Sequence, residues 1–127
     1  MRLMGDGEQP TERYVRLRNH PEQWEEEMIS HGLNEQERAI LHKHLDKDCG
    51  TLSSQEGLML LSQDSQIAGF DIPSADTLRK GIAKKNAKAL EKAKKMFYER
   101  GKELGTRKEM LDYVWNVQFA MQFGLIA

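Results

Sequence analysis

At 127 residues, with 39% hydrophobic and 31% charged side chains, the chain has the size and composition of one globular domain, not of a disordered tail or an enzyme of several subdomains. Its single cysteine, Cys49, excludes an internal disulfide, no run approaches the roughly 18 apolar residues of a membrane span, and the opening MRLMGDGEQP lacks a signal-peptide core, so a soluble cytoplasmic protein is expected. The net charge of −1 hides two unlike ends: residues 79–108 hold twelve Lys or Arg against three Glu, a local +9, and the other residues sum to −10.

Helix signals follow one another along the chain and strand signals are nearly absent. The expected fold is all-α, a compact bundle of about six to seven short helices with no significant sheet. It forms one domain: an acidic lead-in over residues 1–50, basic helices over 51–105 and an apolar closing helix over 106–127. Residues 12–18 set Tyr14 and Leu17 among arginines. Pro21 then opens an acidic helix that Gly32 is placed to stop. Asn34 with Glu37 three residues on reads as a capping box, and Ile40, Leu41 and Leu45 form the apolar side of the helix it starts, which is expected to fray over residues 46–50.

Ser53 with Glu56 repeats the capping pattern, so a helix is expected over residues 54–66, ended by Gly69. Asp71 and Pro73 start the next, with Ala75, Leu78 and Ile82 on one face and Arg79, Lys80 and Lys84 on the others. From Asn86 the spacing Leu90, Ala93, Phe97, Gly101, Leu104 predicts the longest and most basic helix, closed by Gly105. Thr106 with Glu109 gives a further capping pair. Met110, Val114, Val117 and Met121 then form a stripe flanked by Leu111, Tyr113, Trp115 and Phe119. A helix this apolar, ending in GLIA, is either the centre of the core or part of a larger body.

Candidate metal and catalytic groups are weak. His42 and His44 are two apart, which on a helix sends them to different faces, and His20 and His31 are expected on the surface. Asp46 and Asp48 with Cys49 form a short acidic cluster that nothing nearby completes into an oxygen cage. No metal site, triad or Gly-rich phosphate loop is expected. What remains is phosphate handling: Arg79 and Lys80, then Lys84 and Lys85 a turn later, present a comb of cations suited to a triphosphate or a nucleic acid backbone. Phe70, Phe97 and Tyr98 could stack on bases, although the helical spacing of Phe97 assigns it to the core.

The order Gln55-Glu56, Ala68-Gly69-Phe70, Ala75-Asp76, Leu78-Arg79-Lys80, Lys84-Lys85 resembles the fingers of C-family bacterial replicative DNA polymerases, the alpha subunit of DNA polymerase III. The resemblance is densest from Ser53 to about Lys88 and thins into the flanks, covering the stretch from Tyr14 to Ala127. It departs where Ser54 replaces the family's Tyr and Lys80 replaces the second Arg of a pair, which keeps charge but loses a bidentate fork. By this resemblance Arg79, Lys80, Lys84 and Lys85 would contact the triphosphate of an incoming deoxynucleotide, with Gln55 near its pocket. Lys88, Lys92 and Lys95 would meet the nucleic-acid backbone.

The resemblance implies no cofactor on this chain, since magnesium would be bound by the family's palm. The partners would be deoxynucleoside triphosphate, DNA and the rest of the polymerase, in the cytoplasm of a bacterial cell or infected host. The chain would then be a polymerase piece, cut from a longer protein or the product of a split gene and possibly phage-encoded, with no catalysis of its own. Two other readings stay open. One is a stand-alone viral helical module that binds nucleic acid or the host replication machinery. The other is a helical interaction domain whose lysines only face solvent.

Overall fold

The computed structural model describes residues 10–52, 54–84 and 86–122. Among them are seven α-helices and no strand: α1 (Pro10–Asn19), α2 (Pro21–Ser30), α3 (Glu35–Leu45), α4 (Gln55–Gln63), α5 (Ile72–Ala83), α6 (Ala87–Glu103) and α7 (Lys108–Tyr113). The all-helical expectation is met. No helix among the described residues is long and apolar enough to cross a membrane.

Local chemistry explains most helix starts. At α3 the Asn34 side chain accepts from Glu37 N while Glu37 accepts from Asn34 N, both at 2.9 Å, which satisfies two otherwise orphaned donors. Asp71 and Asn86 cap α5 and α6 through Ser74 N and Ala89 N, each at 2.8 Å. On α5, Ala75, Leu78 and Ile82 are buried as their spacing requires. On α6, Ala93, Phe97 and Gly101 are buried, but Leu104 is half exposed because it is the C-cap, already turning off the helix axis.

Several expected boundaries shift where a side chain finds a tertiary partner. The cap of α4 is Ser54, which accepts from Gly57 N; Ser53 lies outside the described residues. α4 stops at Gln63, well before Gly69, because Asp64 leaves the helix in an extended conformation. Its side chain is engaged by His44 at 2.7 Å and Lys43 at 3.1 Å, and its carbonyl accepts from Ile67, Ala68 and Gly69. Burial would raise the pKa of this carboxyl, but the bonds its side chain accepts from His44, Gln66 N and Lys43 hold it below the usual range.

Thr106 does not cap the last helix, since its hydroxyl donates to Ile67 O at 2.6 Å and Arg107 takes the N-cap position with no side-chain capping bond. The closing segment is also not one regular helix. After α7 the chain makes a π-helical turn, Val114–Gln118, and then a 3-10 turn, Phe119–Gln122. The extra residue in the π-turn rotates the register and buries Gln118 as well as Phe119, leaving Val117 half buried. The side chain of Met121 and the GLIA ending lie outside the described residues.

The core is centred on Phe97, whose ring lies 5.1 Å from Phe119, 5.9 Å from Tyr98, 6.0 Å from Trp115 and 6.5 Å from Phe70. Phe70 is itself buried, which removes it from the base-stacking candidates. Beside this aromatic cluster runs a buried polar network. Arg13 donates to Glu27 at 2.5 and 2.7 Å and to Gly50 O at 3.0 Å. The Tyr113 hydroxyl donates to Glu27 at 2.7 Å and accepts from Trp24 Nε1 at 3.0 Å and Gln118 Nε2 at 3.1 Å. Gln118 also receives Leu52 N and donates to Gly50 O.

This network explains why residues 46–50 do not fray. They form a 3-10 turn, Asp46–Asp48, followed by left-handed Cys49 and by Gly50 at φ +78. A Cβ on Gly50 would lie 2.5 Å from the Trp24 ring. Gly50→Ala is therefore expected to cost about 1–3 kcal/mol by overpacking alone, read as a lower urea midpoint with an unchanged slope.

Candidate nucleotide and nucleic-acid site

Three successive helices position the candidate residues. α4 packs on α5 and α5 on α6, so that α5 presents one edge to each neighbour. Gln55 opens α4, and Arg79 on the facing side of α5 donates to its side-chain oxygen at 3.1 Å. Two residues 24 apart in sequence, both expected near one nucleotide pocket, are thus brought together. Arg79 also donates to Asp76 Oδ1 through Nε at 3.1 Å and Nη2 at 2.6 Å, while Lys80 pairs with Asp76 Oδ2 at 3.0 Å. Arg79 first and Lys80 second hold the Asp76 carboxyl below its usual range.

Asp76 is the site residue that sequence reasoning missed as a partner. Its spacing of three and four residues before Arg79 and Lys80 was the available signal.

The remaining cations face the other way. Between α5 and α6 lies an open cleft of about 550 Å³, with Lys80 and Lys84 on its α5 edge and Lys88 and Lys92 on its α6 edge. Gly81, Ala89, Ala93 and Met96 also line it. Lys84, Lys88 and Lys92 are exposed and form no ion pair among the described residues. Lys95 is exposed but not part of the cleft lining, and Lys85 lies outside the described residues.

Two of the acidic residues that could have quenched these lysines are occupied elsewhere: Glu25 holds Arg38 and His42, and Glu27 holds Arg13. Tyr98, the other stacking candidate, is half buried and donates to Asp112 at 2.5 Å. Ala68-Gly69-Phe70 is a structural turn, in which Gly69 adopts φ +61 and its carbonyl accepts from Arg100 at 3.0 Å.

Among the described residues, no carboxylate cluster fits a catalytic divalent cation. Asp46 and Asp48 have the D-x-D spacing, but Asp46 is bonded to His42 at 2.5 Å. Burial would lower the His42 pKa, yet its bonds to Glu25 and Asp46 raise it above its usual value, which favours an imidazolium where a metal would need a free carboxylate. No group of three His, Cys, Asp or Glu side chains converges among the described residues. His20 and His31 are exposed at helix ends, as expected.

Fold and charge together define the class: an all-helical domain with one strongly cationic helical hairpin. The profile of the bacterial DNA polymerase III alpha subunit finger domain matches residues 2–105. The chain is also similar to a "Probable DNA polymerase YorL" of Bacillus subtilis (strain 168) and to a "DNA-directed DNA polymerase" of Bacillus phage SPbeta. Each is 46% identical over 125 residues, which is 98% of this chain and 10% of the relative. The chain belongs to the DNA polymerase III alpha subunit finger-domain family. It spans about a tenth of the length of these relatives, and no solved structure matches it at a significant level.

The family match ends at residue 105, but the folded unit does not. Arg107 binds Glu37 at 2.6 Å, and Tyr113 and Gln118 complete the buried network around Glu27 and Gly50.

Proposed function

We propose that this chain serves as the fingers of a DNA-directed DNA polymerase, binding the incoming deoxynucleoside triphosphate during DNA replication, with nucleotidyl transfer carried out by the rest of the polymerase. The observation that carries this reading is the convergence of Arg79 and Gln55 across α4 and α5, beside the lysines of the α5–α6 hairpin. A guanidinium can grip phosphate oxygens bidentately, whereas lysines supply mobile point charge.

Arg79 would grip the β- and γ-phosphates, with Gln55 orienting its fork, and Lys80 and Lys84 would add positive charge from the other edge of α5. Lys88, Lys92 and Lys95 would meet the DNA backbone. The gain is in positioning: charge neutralisation and closure align the α-phosphate with the primer end and exclude water. Asp76 and Gln55 together occupy three of the five Arg79 N–H donors, which leaves two for phosphate oxygens.

Arg79→Ala is expected to weaken dATP binding by about tenfold, the usual worth of a hydrogen bond to a charged group. Arg79→Lys should recover only part of it, for want of the fork. The measurement is titration calorimetry, with helicity checked by circular dichroism. Unchanged dATP affinity in a folded Arg79→Ala chain would overturn the assignment.

A further inference from the structure

We propose that Asp76 is the positioning residue of the Arg79 guanidinium, fixing which of its N–H groups are left to grip phosphate. The inference rests on the triphosphate reading of Arg79 and adds the residue through which that grip is set.

An arginine has one N–H on Nε and two on each terminal nitrogen. Asp76 Oδ1 accepts from Nε at 3.1 Å and from Nη2 at 2.6 Å, so one carboxylate oxygen closes the whole Nε–Nη2 edge. Gln55 takes one Nη1 hydrogen at 3.1 Å. What remains is one N–H on each terminal nitrogen, the number a bidentate phosphate contact needs.

The two anchors are not equivalent. Gln55 is neutral and exposed, and it reaches Arg79 from another helix by a single bond. Asp76 is charged and half-buried, and it lies three residues before Arg79 on the same helix, so α5 alone keeps the two side by side. The Arg79 side chain is only 26% exposed in this clamp. A long cation ordered before its ligand arrives has less rotamer freedom to lose on binding.

The same carboxylate also divides the cations. Residues three and four positions on lie to either side of Asp76 around the helix, and Oδ2 holds Lys80 at 3.0 Å. One side chain thus ties Arg79 toward Gln55 and Lys80 at the edge of the α5–α6 cleft.

Asp76 acts on a triphosphate in two opposed ways: its charge repels the ligand, and its bonds pre-order the fork. Each of its oxygens already faces a cation and the group is partly solvated, so the repulsion is compensated and screened. A misaligned fork has no such remedy. Positioning therefore outweighs repulsion, and the sign of a substitution separates the two.

The test is titration calorimetry of the full 127-residue chain with dATP, with the fold of each variant checked by circular dichroism. Asp76→Ala is expected to weaken dATP binding by about threefold to tenfold, although it removes a negative charge beside the ligand. Asp76→Glu, which restores a carboxylate at the same spacing, should recover part of that loss. In an Arg79→Ala background Asp76→Ala should cause no further weakening, because a positioning residue has nothing left to position. Without any nucleotide, the Arg79 Nε–H resonance should be protected from exchange with water in the unmodified chain and lose that protection in Asp76→Ala.

The inference is overturned if folded Asp76→Ala binds dATP as tightly as the unmodified chain, or more tightly, while Arg79→Ala weakens it. It is also overturned if Asp76→Ala weakens binding equally with and without Arg79, which would make its part structural. Loss of the triphosphate reading itself shows differently, as an Arg79→Ala chain with unchanged dATP affinity.

Discussion

Replacing Glu27 by Ala is expected to destabilise the chain by about 3–5 kcal/mol, the cost of leaving a buried charge without its partner. The Arg13 side chain is 2% exposed, and Glu27 supplies two of its hydrogen bonds. Without Glu27, Arg13 retains only the bond to Gly50 O among the described residues, and the Tyr113 hydroxyl loses its acceptor. Burial by itself would depress the Arg13 pKa, but the bonds and charge of Glu27 outweigh it and raise the pKa above its usual value. Reciprocally, burial would raise the Glu27 pKa, and Arg13 more than offsets this and lowers it.

The sign of the pH dependence follows from that lowered value. An unfolded glutamate titrates near about 4.3, so the pair's stabilisation is complete above that pH and fades as pH falls through the lower folded value. Urea unfolding at pH 7 should show the full difference between Glu27→Ala and the unmodified chain, and at about pH 3 the difference should shrink. A loss below about 1 kcal/mol at pH 7 would mean that Arg13 is solvated, not clamped.

Phe97→Ala is expected to cost about 3–5 kcal/mol, because the ring is fully buried and its removal opens a cavity that its neighbours cannot fill. Phe70, Trp115 and Phe119 come from a turn, a π-turn and a 3-10 turn. Each is fixed by backbone bonds of its own, so collapse onto the void is hindered. A lower urea midpoint with a weakened near-ultraviolet aromatic signal is the expected result. A loss under about 1.5 kcal/mol would show that the cluster repacks.

Much of the domain was written in short-range spacing. The Asn34–Glu37 box, the Asp71 and Asn86 caps and the inward face of Ala75, Leu78 and Ile82 involve residues three or four apart, where helix geometry alone dictates the contact. The cationic hairpin was equally legible, since twelve positive residues against three negative over residues 79–108 survive any packing arrangement.

Only tertiary structure could decide how those charges are used and where the helices break. Arg13 among its neighbouring arginines resembles a surface cation until Glu27, Gly50 and Tyr113 arrive from distant segments. Thr106 resembles a cap until Ile67 claims its hydroxyl, and α4 resembles a longer helix until His44 and Lys43 hold Asp64. In the same way, a continuous comb of cations becomes an Asp76-clamped Arg79 on one side and an open lysine trough on the other through the packing of α5 between α4 and α6. Local spacing sets which face a side chain can occupy; which partner waits on that face is set by residues far away in the chain.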